Sequence, residues 1–349
     1  MRESAADSKV KRWVGATLLI CFCITGLATW QTVRHNQQAI DAAVTTAAAR
    51  AANAVTDRLN LYEHGLRGTR GLILALEEQT ISRQRFQRYI QAREIHRGFP
   101  GARGFGFIRR VERLNVPLFV REAREDDWPA FSIRELSPHS GERYVIQYIE
   151  PVERNSQAVG LDIASETNRR EAALAALETG EARLTGPITL VQATGAPSQS
   201  FLFLLPIYRT VATPASAGER LAACLGWSYA PLLMSEVLAD LPLDNLQAHL
   251  EIRDTTHPDK EELFYTGPIP QDNPARLNRH VLQREVHGRQ WQFTFTAFPA
   301  FIQNLHLISP DWIAWSGLLL SLLMATLVGT VRLNHERQRL LFAGQARMA

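Results

Sequence analysis

The sequence predicts an α+β protein: a long N-terminal stalk helix, then two mixed helix-and-strand units in tandem, flanked by two membrane-length helices. Three observations predict this. Two uncharged apolar stretches lie near the chain ends, an alanine-rich segment free of Gly and Pro follows the first, and the intervening residues twice pass from a helical pattern into period-two strands.

The apolar stretches are Val14–Trp30 (VGATLLICFCITGLATW) and Trp312–Val331 (WIAWSGLLLSLLMATLVGTV). A hydrocarbon core of about 30 Å takes roughly 20 apolar residues as a helix. Arg2, Lys9, Lys11 and Arg12 precede the first stretch, and Arg332, Arg337 and Arg339 follow the second. Because Lys and Arg stay on the cytoplasmic side, both ends are expected inside and residues 31–311 outside. This is a two-pass inner-membrane layout with a periplasmic or extracellular centre. A cleaved signal peptide competes for the first stretch. Residues 24–32 lack a clean small-x-small cleavage site and a helical pattern runs straight on, which favours an uncleaved anchor. For the second, the Trp312/Trp315 edge and Arg332 at the other end favour a span over a core helix.

The expected divisions are a cytoplasmic tail (1–12), a transmembrane helix (13–30), a stalk (31–78), membrane-distal (79–211) and membrane-proximal (212–300) units, a return to the membrane (301–311), a second transmembrane helix (312–331) and the start of a cytoplasmic helix (332–349). The small-residue run 212–219 (ATPASAGE) sets the inner boundary.

With 38 Lys and Arg against 35 Asp and Glu the formal charge is +3, and no basic run interleaves with aromatics, so no nucleic-acid partner is expected. Cys21 and Cys23 fall in the first apolar stretch, and Cys224 in LAACLGW is expected to be a buried, inert thiol. No His, Cys, Asp or Glu spacing suits a metal, no nucleotide loop or nucleophile motif occurs, and no cofactor is expected. The adjacent acids Glu77-Glu78 and Asp126-Asp127 read as solvated surface.

In the stalk, Val33, Ile40, Val44, Ala47, Ala51 and Val55 recur mostly at three- and four-residue steps, and Leu59, Tyr62, Leu66 and Ile73 continue the stripe. Such a stripe suits a seam between two copies of the chain, expected for the membrane-near half. Beyond Leu66 the same helix is expected to lie on its own domain. Residues 82–96 then read as a helix capped by Ser82, 103–111 as a strand whose Gly104 and Gly106 admit close approach, and 116–124 as a short helix. Residues 144–149 read as a half-buried strand with Tyr144, Ile146 and Tyr148 on one face. Residues 169–177 read as a helix begun by Asn168 and stopped at Gly180. Residues 188–191 and 200–205 read as strands. Past the boundary, 221–229 reads as a strand and 231–241 as a helix with Pro231 in its first turn, followed by strands at 250–253, 262–265, 280–286 and 290–297.

The runs FPGARGFGFIRRV (99–111), YIEPVERNSQAVGLDIASETNRREAALAALETGEARLTGPITLVQ (148–192) and FLFLLPIY (201–208) resemble the CHASE family, the external sensors of many bacterial membrane receptors and of plant cytokinin receptors; CLGWSYAPLLMSEVL (224–238) resembles the family's following segment. The resemblance implies a stalk helix followed by two tandem PAS-like domains, with a small-molecule pocket in the distal one. It also implies a cytoplasmic output module, a histidine kinase or diguanylate cyclase, absent from this sequence. In the plant receptors the aspartate of the L-D pair holds the hormone's adenine ring, which places Asp162 here as a ligand anchor; the structural alternative is a turn-making carboxylate at a helix start. The family's apolar contact falls at Leu184. Phe107, Tyr148 and Phe203 are candidates for the same pocket, each equally suited to a sheet core. Glu150-Pro151 and Asn155 read as a fixed turn, and Arg169-Arg170 as a solvated helix face in preference to an anion site.

The function expected is a homodimeric membrane signal-transduction receptor that binds a small ligand, cytokinin-like or purine-like. A tethered binding or adaptor protein without its own output is the alternative, and a tethered enzyme a more distant one.

Overall fold

The computed structural model describes residues 2–76, 81–190, 200–239, 241, 247–267 and 277–345. Glu77, Glu78 and the end of the predicted stalk lie outside these, as does Val191 of one predicted strand.

The elements in order are α1 (Arg2–Ala75), α2 (Arg83–Ala92), α3 (Ile95–Gly98), β1 (Phe105–Val111), α4 (Val116–Glu125), β2 (Arg134–Glu135), β3 (Arg143–Glu150), β4 (Leu161–Asp162), α5 (Thr167–Thr179), β5 (Arg183–Leu184), β6 (Ser200–Tyr208), α6 (Ala217–Ala223), β7 (Cys224–Leu233), α7 (Met234–Val237), β8 (Ala248–Asp254), β9 (Glu262–Thr266), β10 (Leu277–Val286), β11 (Arg289–Ala297), α8 (Pro299–Gln303) and α9 (Pro310–Gln345). Two compact units result: one from the residues up to Ala43 and from Ala300 on, the other Val44–Pro299.

In the first unit, the N-terminal part of α1 and α9 are both long and apolar enough to cross a membrane. Gly317, Ser321, Ala325 and Gly329 recur every fourth residue along α9. Ser321 and Ala325 are buried, and a Cβ built on Gly317 would lie 2.4 Å from Thr25. Small residues on one ridge let two helix backbones approach closely. At one end of the pair the Arg332 guanidinium sits 4.4 Å from the Trp13 ring centre.

In the second unit the strands form two sheets, in the orders β2-β4-β3-β1-β7-β6-β5 and β10-β11-β8-β9. The chain changes sheet after β7, not at residue 212. β7 pairs with both β6 and β1, and the small-residue run forms the β6–β7 connection, where Ser216 and Glu219 make a reciprocal capping box on α6. Pro231 corrects the predicted helix over 231–241. It pairs with Leu202 inside β7 and its carbonyl accepts from Arg103, leaving only the short α7 as helix.

From Val44 onward the stalk stripe is covered by the chain itself, whereas Val33 is exposed. Val44 and Ala51, expected to face a second copy, are 3% and 1% exposed. Ala51, Ala52, Val55, Leu59, Tyr62 and Leu66 share a core with residues of both sheets, Phe105, Phe203, Ile252 and Trp291 among them. Alanine lets sheet side chains come close to the helix axis, so the weakness of the stripe as a zipper seam reflects intrachain packing. Gly65 shows the limit: a Cβ there would lie 2.4 Å from the Phe105 ring. The Ser228 hydroxyl donates to Leu66 O and ties the sheet to α1.

β3 is buried on both faces rather than half-buried. The β1–β3 register slips between Phe107 and Ile108, so Phe107 faces Tyr148 while Ile108 faces Ile146. The bulge puts Ile146 and Tyr148 into opposite cores, although simple alternation places them together. The close approach expected at Gly104 and Gly106 is present: added Cβ atoms would lie 2.4 Å from Glu150 O and 2.4 Å from Tyr148 O, respectively.

Helices α4 and α5 belong to the core on the opposite side of the seven-stranded sheet from α1 and α2. α5 is capped by Glu166, whose carboxylate accepts from the Asn168 and Arg169 amides, rather than by Asn168, and it ends on Gly180 at φ 79°. Trp227 Nε1 donates to Ala173 O and fixes α5 against β7. In the second sheet β10 and β11 join through His287 and Gly288 at φ 46° and 84°, the tight hairpin turn in which both residues take positive φ.

Candidate functional site

Four of the five sequence-predicted site residues, Phe107, Tyr148, Leu184 and Phe203, lie in the core shared with α1. Tyr148 stacks on Phe86 at 5.3 Å, and its hydroxyl donates to Asp126 at 2.6 Å. Burial, then Asp126, pushes its pKa far above that of a free phenol. Asp126 is therefore no free surface acid: it also accepts from the Arg83 amide at 3.0 Å, and the Arg83 guanidinium lies 4.6 Å from the Trp128 ring centre. Leu184 pairs with Phe203 across β5 and β6, and the Phe203 ring lies 4.6 Å from that of His287.

Asp162 stands apart from these four, on β4, between Leu161 and Ile163 of the opposite core. It is fully buried. Its Oδ1 accepts from Tyr144 N at 2.9 Å and Ala164 N at 3.0 Å. Its Oδ2 accepts from Arg143 at 3.2 Å, with His139 Nε2 at 2.8 Å. Four protein groups thus meet the two oxygens, and the carboxylate ties β3 to β4 and starts the turn into α5. Asn155 donates to Arg103 O and Pro151 O and secures the turn after Glu150. Burial raises the Glu150 pKa.

On the α5 side of the sheet a narrow cleft of about 10 Å³ is lined by Ile146, Ala158, Leu161, Arg169, Leu190, Leu202, Tyr229 and Pro231. None of the five predicted residues lines it. Of its two polar members, sequence reasoning leaves Tyr229 unflagged and sets aside an anion site at Arg169. Arg169, read there as part of a solvated face, is 3% exposed. The signal was available: Ala172, Ala173 and Ala176 follow it at three, four and seven residues and are buried, so Arg169 heads the inward face of α5. Its terminal nitrogen donates to Thr189 O at 3.0 Å. Nε makes no hydrogen bond, the Glu166 carboxylate being 3.7 Å away. Tyr229 in β7 is also buried, and its hydroxyl finds no partner. Burial raises the Tyr229 pKa well above its ordinary value, with Arg169 pulling the other way, while burial lowers that of Arg169.

A family model described as the CHASE domain matches residues 79–265. The chain belongs to the CHASE-domain family. The match spans more than half the chain, including the whole seven-stranded sheet and the first two strands of the second. No curated protein matches. Among solved structures, the periplasmic sensory domain of the Campylobacter jejuni chemoreceptor Tlp1 is similar at a TM-score of 0.43 and 10% identity, over 74% of this chain and 93% of that one.

Proposed function

We propose that this CHASE protein is a two-pass membrane signal-transduction receptor whose domain between the apolar helices lies outside the cytoplasm and binds a small molecule. The observation that carries the reading is the placement of a CHASE sensory domain between two helices long and apolar enough to span a bilayer. In this reading the two sheets are tandem PAS-like domains, the larger one receives the ligand, and α9 carries the change to a cytoplasmic histidine kinase or diguanylate cyclase. The ligand works by binding one domain shape better than another. Asp162 acts here as the brace of the ligand-bearing wall, because its oxygens are already engaged by protein groups. Homodimerisation, if used for signalling, engages surfaces other than the Val44–Val55 stripe, which the chain's own domain covers.

Topology reporters test the reading. Alkaline phosphatase fused after Pro299 is expected to be active and after Ala343 inactive, with a cytoplasm-dependent reporter giving the reverse. Cytoplasmic activity at Pro299 would remove the receptor reading.

A further inference from the structure

Arg169 and Tyr229 are two unsatisfied buried donors at one cleft. Both are buried, both present a donor with no hydrogen-bond partner, and both line one otherwise apolar cleft. A buried polar group without a partner destabilises the fold, so two of them at one cleft call for an acceptor. Arg169 stays cationic in protein interiors, and Tyr229, with its pKa raised by burial, stays a protonated donor. The nearest carboxylate, Glu166, is engaged by the Asn168 and Arg169 amides and lies beyond hydrogen-bond reach of Nε.

We propose that this cleft is a recognition site for a small organic monocarboxylate, its carboxylate taken by Arg169 and Tyr229 and its apolar body by Ile146, Leu161 and Leu202. The proposal rests on the sensor reading above and names the ligand class of that site. A planar carboxylate matches the guanidinium fork, accepting from Nε and the terminal nitrogen together, while the Tyr229 hydroxyl supplies a third donor. Glu166 at 3.7 Å already offsets part of the Arg169 charge, so the site takes at most one further negative charge and disfavours a dianion such as sulfate, whose second charge would be buried unpaired. At about 10 Å³ the cleft holds no more than a water-sized occupant, so a carboxylate must displace a wall to enter. The fork also supplies a consequence of binding. The terminal nitrogen now held by Thr189 O turns to the ligand, and the segment 186–190 loses that tie to α5.

The test uses the full chain in lipid nanodiscs at fixed ionic strength. Sodium acetate, propionate and benzoate are titrated while thermal unfolding is followed, with propionamide, benzamide, adenine and sodium sulfate as comparisons. A saturable rise in Tm with at least one monocarboxylate, absent with its amide and with sulfate, is expected. Tyr229→Phe removes only a buried hydroxyl that has no partner, so the fold without ligand is expected to keep or raise its Tm. The apparent Kd for the carboxylate is expected to weaken at least about tenfold, the worth of a hydrogen bond to a charged group. Arg169→Lys is expected to weaken it further by losing the fork. No rise with any of the three carboxylates, or an equal rise in wild type and Tyr229→Phe, overturns the proposal. A rise with adenine that depends on Tyr229 overturns the carboxylate class and leaves the receptor reading standing. That reading falls only with the topology reporters.

Discussion

The two faces of the seven-stranded sheet are built to different rules. Toward α1 the core is filled with rings: Phe86, Phe99, Phe105, Phe107, Tyr148, Phe201 and Phe203, joined by Trp291 and Phe264 of the second sheet. Toward α4 and α5 there are fewer rings, Phe119, Phe131, Tyr144, Tyr208, Trp227 and Tyr229, and the helices themselves contribute short side chains, Ala123, Ala172, Ala173 and Ala176. This face also holds Asp162, Arg169 and the cleft. Large interdigitated rings leave little room for a ligand and tie the sheet to the helix. Small residues under a helix leave adjustable space, and buried polar groups give that space specificity. In the proposed reading, one face of the sheet serves stability and the other recognition.

Emptying the filled face should have the largest effect. Phe105→Ala removes a buried ring packed edge-on to Phe99 at 4.9 Å and seated over Gly65. A loss of about 3–5 kcal/mol is expected, read as a fall in the denaturation midpoint of the full chain in detergent. A loss below about 1 kcal/mol would mean that this face is loosely packed and the comparison is mistaken.

Asp162→Ala should come next. It strands the Tyr144 and Ala164 amides and uncouples Arg143, for an expected loss of about 3 kcal/mol, present without any ligand. Asp162→Asn keeps one carbonyl acceptor and should lose less. If both variants melt like wild type and differ only in ligand response, Asp162 is an anchor rather than a brace, and the α5 face is more open than the cleft suggests.

The smallest expected effect is a pH dependence where the two sheets meet. His287 lies among Phe203, Glu63 and Arg183; burial lowers its pKa, Glu63 raises it and Arg183 lowers it again. The fold therefore prefers the neutral ring. The unfolded chain takes up a proton near pH 6.5 while the folded chain resists until lower pH, so stability is complete above about pH 6.5 and declines as pH falls through the folded value. His287→Asn, whose residue tolerates the positive φ of this turn, should flatten the acid limb of a stability–pH curve and leave the neutral value nearly unchanged. An unchanged acid limb would assign the decline to other groups.

Local chemistry in the sequence determined a good deal. Absence of Gly and Pro marks the long helix, uncharged length marks both membrane-length segments, Ser82 and Gly180 mark helix ends, and the strands of the second sheet follow from alternation and turn residues. These are read within a few residues of where they act. The family resemblance, carried by ordered motifs such as G-L-D and G-P-I, was legible for the same reason, and the family match bears it out.

What only the tertiary structure decided involves partners far apart in sequence. An alanine stripe has the same period whether a second copy or the chain's own sheet covers it, so the burial of Val44 and Ala51 could not be read locally. The bulge that splits Ile146 from Tyr148 exists only between β1 and β3. Pro231 reads as a helix start until β6 and Arg103 claim it for a strand. Asp162 looks like a lone carboxylate until four groups from β3, the β2–β3 connection and the turn before α5 converge on it. Arg169 and Tyr229, 60 positions apart in sequence, meet only because α5 is pinned to β7 through Trp227. Helix and strand signals are short-range properties of the chain, whereas the solvation of a buried charge is set by whatever the folded chain brings beside it.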